Sequence, residues 1–214
     1  MKRISIISIS LLTLCIATFV LPGCKKDKTV SKLVKFSFPV LTLNGDPIII
    51  LNHGDAFSDP GASWVDTVTG ESGTVTASTP VVTTSDGLFV ITYSATNKNG
   101  LKASVTRDVA VTGISSAFDI SGVYLRSGTS ATTNVTKLGR GLFQTDNVGG
   151  NSLFDPAVFL IQTDSTILIP DQIFPSSGPA SFSQAQITYG PPISISYAIA
   201  ASGYGSQVRT FVKQ

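Results

Sequence analysis

Two stretches of strict alternation constrain this chain more than any other feature of it. Leu88-Phe89-Val90-Ile91-Thr92-Tyr93-Ser94-Ala95-Thr96 and Ser104-Val105-Thr106-Arg107-Asp108-Val109-Ala110-Val111 repeat with period 2. That is the spacing of half-buried strands, whose successive side chains point to opposite faces. Asp86-Gly87 and Asn99-Gly100 punctuate them as turns. Ile48–Leu51, Thr74–Thr76 and Val81-Val82 supply further short apolar or β-branched runs, and Asp59-Pro60-Gly61 is a turn. About seven short strands between residues 36 and 113 predict a small β-sandwich. From residue 117 on, strands are expected at Gly122–Arg126, Thr132–Leu138, Gly141–Thr145, Ala157–Gln162, Thr166–Ile169, Phe182–Tyr189, Ile193–Ala200 and Gln207–Val212, with no helical period. The polar stretch Gly113–Ala117 separates the two parts. The predicted class is therefore all-β: an immunoglobulin-like sandwich over 36–113, then an antiparallel barrel or sandwich over 117–214. With 42% hydrophobic and only 13% charged residues, the chain is too apolar to stay disordered.

The first 23 residues have an export pattern. Lys2 and Arg3 precede an apolar run to Val20, and Leu21-Pro22-Gly23-Cys24 resembles a bacterial lipobox. The resemblance implies cleavage before Cys24 and a thioether-linked diacylglycerol on its sulfur. A further acyl chain would then hold the protein stably on a membrane. Residues 24–35, with five lysines, are expected to be a lipidated tether. Lys25 stands where inner-membrane retention resembles an Asp, so the outer membrane is favoured, with display at the cell surface. Cys15 leaves with the leader and Cys24 is consumed by the anchor, so the processed chain has no disulfide. Removing Lys2 and Arg3 from the 15 basic residues leaves them equal in number to the 13 acidic ones. A net charge of zero gives nucleic acid nothing to bind.

Gly54-Asp55-Ala56-Phe57-Ser58-Asp59-Pro60-Gly61-Ala62, then Asp66, resembles the signature of bacterial immunoglobulin-like domains of the DUF5011 and HYR-like kind. Asp86–Asn97 and Val105-Thr106-Arg107-Asp108-Val109 resemble its second half, with Phe89 for Tyr and Asn97 for Asp. Such domains are spacers or adhesive modules. Thr145-Asp146-Asn147-Val148-Gly149-Gly150 is similar to an element of Bacteroidota lipoproteins of the DUF5012, BT_2262-like family, which pair one such domain with a C-terminal β domain. The Tyr-rich stretch usual after the glycines is reduced here to Ser152-Leu153-Phe154. Asp66-Thr67-Val68 and Asp164-Ser165-Thr166 resemble the short O-glycosylation signal of these bacteria.

No reaction is legible. The one histidine, His53, lies at a strand edge with no nucleophile elbow elsewhere. One His and no free Cys do not make a zinc site. Asp55, Asp59 and Asp66 are calcium-type ligands, or else Asp59 serves its turn and Asp66 a strand end. Gly139-Arg140-Gly141 and Gly149-Gly150 lack the strand–loop–helix context of phosphate loops, so no cofactor is expected. Trp64, the only Trp, reads as core or as a sugar platform. Phe143, Asn147, Asn151, Phe154, Tyr189, Tyr197 and Tyr204 are the rings and amides available to a carbohydrate. Phe154, Tyr204, Asn151 and Tyr197 are the chosen glycan-binding candidates. The expectation is a non-catalytic envelope lipoprotein that binds or presents glycan. The alternative is a structural or adhesive partner in an outer-membrane complex with no small ligand.

Overall fold

A computed structural model describes residues 35–77, 80–162 and 165–214. The leader, Cys24 and the lysine-rich tether up to residue 34 lie outside these, as does Asp164. Residues Phe36–Gln214 form one compact unit, and every regular element described is a strand.

Among the described residues the first half has six strands, against about seven expected: β1 (Val40–Leu43), β2 (Ile48–Leu51), β3 (Ala62–Asp66), β4 (Glu71–Val75), β5 (Gly87–Thr96) and β6 (Lys102–Val111). They form two three-stranded sheets, ordered β1-β3-β4 and β2-β6-β5, with β2 parallel to β6. The alternation predicted for β5 and β6 is present. Ile91, Tyr93, Val105 and Val109 point between the sheets, where Leu41, Leu43, Ile49, Phe57 and Ala62 meet them. Val81-Val82 is not a strand. β3 escapes the apolar pattern because its inward positions include Asp66, which is buried through hydrogen bonds rather than apolar contact.

The second half is one nine-stranded antiparallel sheet. Its strands are β7 (Gly122–Arg126), β8 (Thr132–Gly139), β9 (Leu142–Thr145), β10 (Ala157–Ile161), β11 (Ile167–Leu168), β12 (Gln172–Phe174), β13 (Gly178–Thr188), β14 (Ser194–Ala200) and β15 (Val208–Lys213). The order is β11-β10-β9-β8-β7-β15-β14-β13-β12. The sheet curls until its ends meet. Thr166 bridges Gln186, and the Ile187 N–H donates to Ser165 O at 3.0 Å. The Gln172 side-chain amide imitates a strand: Nε2 donates to Val158 O at 3.1 Å, while Oε1 accepts from Val158 N at 3.0 Å. Edges that would otherwise present open backbone groups are so covered. Of the two expected arrangements, the sheet takes the barrel-like one. Its interior is filled by Tyr124, Phe143, Phe159, Phe174, Tyr197 and Phe211, all essentially inaccessible.

The two halves share a third apolar core. Leu88 and Ala110 on the outer face of β5 and β6 meet Leu142 and Leu160 on the outside of the curled sheet; Ile48, Ile50 and Leu168 pack around them. This explains the runs Ile48–Leu51 and Ile167-Leu168-Ile169, which are apolar on both faces because both faces are covered. Gly139 admits Ile50: a Cβ on Gly139 would lie 2.0 Å from Ile50 Cδ1. Arg140 donates to Asn52 Oδ1 at 2.6 Å and to Leu51 O at 3.0 Å. The first half is thus packed onto the second rather than strung beside it.

Candidate functional site

Three acidic residues of the first half, Asp55, Asp59 and Asp66, are consumed by the fold. Asp59 accepts from Tyr93 OH (2.5 Å), Ala77 N (2.9 Å), Gly61 N (3.0 Å) and Arg107 Nη1 (3.2 Å). Burial raises its pKa, but these donors outweigh burial and hold it below the usual carboxylate range. Asp66 accepts from Ser37 Oγ, Asn97 Nδ2 (2.5 Å), Val68 N (2.9 Å) and Thr69 N (3.1 Å). The Ser37 hydroxyl contributes most to lowering its pKa. Asn97, where the resemblance has Asp, can donate to this carboxylate as an ionised Asp cannot. Asp55 accepts from Asn52 N at 2.7 Å and closes a turn. The three carboxylates serve separate networks, and among the described residues no three His, Cys, Asp or Glu groups come together to hold a metal. His53 lies 2.7 Å from Asp86. Half-buried Trp64 pairs across β3–β4 with Gly73, where a Cβ would come within 2.9 Å of the indole nitrogen.

In the second half, the loop between β9 and β10 lies over one end of the sheet. Asp146 anchors its start, accepting from Asn134 Nδ2 (2.7 Å), Asn134 N (2.8 Å) and Thr133 Oγ1 (2.8 Å). Buried Asn147 spans the loop, donating to Asn151 O at 2.9 Å and accepting from Asn151 N at 3.2 Å. A Cβ on Gly149 would fall 2.3 Å from the Tyr204 ring, and one on Gly150 2.9 Å from Phe211. Only glycine lets these rings close beneath the loop.

That arrangement corrects two of the four chosen candidates. Tyr197 is 1% exposed and donates to Val148 O at 2.9 Å; Tyr204 is 5% exposed and donates to Asp155 at 2.8 Å. Both are core rings with a satisfied hydroxyl and present no face to a ligand. Asp155 also takes Ser176 N–H at 3.0 Å and the hydroxyls of Ser176 and Ser177. Burial pushes its pKa up, and these donors bring it below the ordinary value. Phe143 is buried as well, whereas Tyr189 is half-exposed and set edge-on to Phe118.

The other two candidates do come together. Phe154 is 67% exposed and sits at φ 53°, a left-handed backbone that costs a side-chain-bearing residue roughly 1–2 kcal/mol. With Asn151, Asn147, Ser152 and residues 130–132 of the β7–β8 hairpin, it lines an open groove of about 420 Å³. Asn151 Oδ1 accepts from Leu153 N at 3.0 Å, so the Nδ2 group is the donor it can offer. Sequence reasoning missed a larger groove, about 500 Å³, where the two halves meet. Its walls come from strands distant in the chain.

Residues 41–111 match the family model described as the Ig-like domain of bacterial surface proteins. The first half is an Ig-like domain. The chain is also similar to a solved structure, the lipoprotein BT2262 from Bacteroides thetaiotaomicron. The two are 22% identical over 83% of this chain and 100% of that one, with a TM-score of 0.36. No curated protein matches the chain.

Proposed function

We propose that this chain is a non-catalytic lipoprotein of the bacterial cell envelope, held by lipid on Cys24 at the outer-membrane surface, that binds glycan in the Phe154 groove. The observation that carries this reading is Phe154 itself. The fold holds an aromatic ring in water on a strained backbone, although burial of such a ring is worth roughly 1.5–3 kcal/mol. Strain of this kind collects where a surface is shaped for a ligand. The ring offers a stacking face to a sugar, and the Asn151 amide offers a hydrogen bond to its hydroxyls. The Ig-like half is a rigid mount for this groove. The non-catalytic reading rests on the carboxylates: buried Asp66 and Asp155 and half-buried Asp59 are tied to structural donors.

The test is a glycan array probed with residues 36–214 and with its Phe154→Gly variant. The wild-type protein is expected to bind a defined glycan set, and the variant to bind it at least tenfold more weakly. Glycine relieves the backbone strain, so the variant's unfolding free energy should stay the same or rise by up to about 1 kcal/mol. Undiminished binding by the variant removes the groove from the proposal. Silence from both favours the alternative, a structural or adhesive role in an outer-membrane complex. The anchor is tested separately: Cys24→Ala should leave the protein soluble or unprocessed, and normal membrane fractionation of that variant would defeat the anchor.

A further inference from the structure

The outer face of β5 and β6 changes character along its length. Near Leu88 and Ala110 it is covered by the second half; beyond them it runs out as Val90, Thr92, Asp108 and Thr106. There it meets Val158 and the link from Pro170 to Ile173, and the two walls enclose the groove of about 500 Å³. That volume falls within the range of small-molecule sites, about 300–1,000 Å³, which favour junctions between domains. The shared apolar core fixes both walls, so the groove is formed in advance.

Asp108 stands out on its floor. Asp59, Asp66 and Asp155 receive four donors each. Asp108 receives none among the described residues, and burial alone raises its pKa. A half-buried carboxylate without a partner costs stability and contributes nothing to folding. Its cross-strand neighbours are Val90 and Ile48, and the adjacent Arg107 points to the opposite face. The opposite wall adds a second carboxylate, Asp171, and among the described residues no Lys, Arg or His lines the groove. Ile173, 76% exposed, and Pro170 give that wall an apolar surface, while Thr106 adds a hydroxyl.

We infer that this groove is a second ligand site, which takes a small molecule bearing a primary ammonium group. Asp108 supplies the counter-charge, with Asp171 reinforcing it. The threonine hydroxyls and the apolar rim hold the ammonium's scaffold. Amino sugars with a free amine and lysine-type amines share this chemistry. The site is separate from the Phe154 groove and stands or falls without it.

Calorimetry on residues 36–214 tests it with three probes: glucosamine disaccharide, its N,N′-diacetylated form, and lysine amide. Both amines are expected to bind, the preferred one naming the source, and acetylation should weaken the sugar at least tenfold. Asp108→Asn should lower amine affinity at least tenfold while raising the thermal midpoint, because it removes an uncompensated charge. Phe154→Gly should leave lysine amide affinity unchanged. Affinity should also fall as pH drops through the raised Asp108 pKa, where the carboxylate takes up a proton. Equal binding of the acetylated sugar, indifference to Asp108→Asn, or no binding of either amine overturns the inference.

Discussion

Replacing Arg107 with Leu should lower the unfolding free energy by about 3–5 kcal/mol, the cost of removing one partner from a buried ionic network. Arg107 is fully inaccessible. Its guanidinium uses every N–H it has: Nε to Asp46 O (2.9 Å), Nη1 to Tyr93 OH (2.9 Å) and Asp59 (3.2 Å), Nη2 to Asn44 O (2.7 Å) and Gly61 O (3.5 Å). It also lies 5.4 Å from the centre of the Tyr93 ring. Leucine would leave the Asp46 and Asn44 carbonyls without this donor and take one donor each from Gly61 O and the Asp59 carboxylate. Arg107→Lys should recover little, since a single ammonium cannot reach both sheets as the planar fork does. Urea unfolding followed by Trp64 fluorescence measures the loss; a change below 1 kcal/mol would refute this account. The pH dependence has a definite sign. Asp59 has a lowered folded pKa, so its contribution is present above the ordinary Asp range and is lost as pH falls through the folded value. Without Arg107 that pKa rises, and acid unfolding should begin at higher pH.

This network also shows what the sequence could and could not say. The segment Asp59-Pro60-Gly61-Ala62, Tyr93 and Arg107 were visible as parts of a signature, and the alternation of β5 and β6 placed Tyr93 and Arg107 on one face. That they form one polar knot depends on the pairing of two sheets, which no local pattern encodes. The failures in the second half have the same origin. Tyr204, beside Gly203 and Gly205, reads as an exposed turn residue. It is buried because its hydroxyl reaches Asp155, 49 positions away, over a glycine pair that leaves room for the ring. Phe154 was legible as a loop aromatic because nothing distant claims it. Asp108 carried no signal: in an alternating strand an outward Asp is ordinary, and only the approach of the second half turns it into a half-buried charge.

Leu160→Ala should destabilise the first half although Leu160 belongs to the second. The side chain is fully buried in the core shared by β5, β6, β9 and β10, and truncation of such a residue costs about 2–5 kcal/mol. If the halves were independent modules joined at residues 113–117, that loss would fall on the curled sheet alone. Trp64, the single tryptophan, lies in β3 on the far sheet of the Ig-like half and would keep its own unfolding midpoint. The shared core makes another outcome the expected one. Leu88 and Ala110 lose their cover when the second half opens, and the Arg140 bonds to Leu51 and Asn52 go with it. The Trp64 midpoint should therefore shift together with the circular-dichroism midpoint, in a single transition. Two separated transitions, with Trp64 unmoved by Leu160→Ala, would show that the junction does not couple the halves. The coupling also bears on the binding proposals, because the junction groove exists only while both of its walls are held, and the same core holds them.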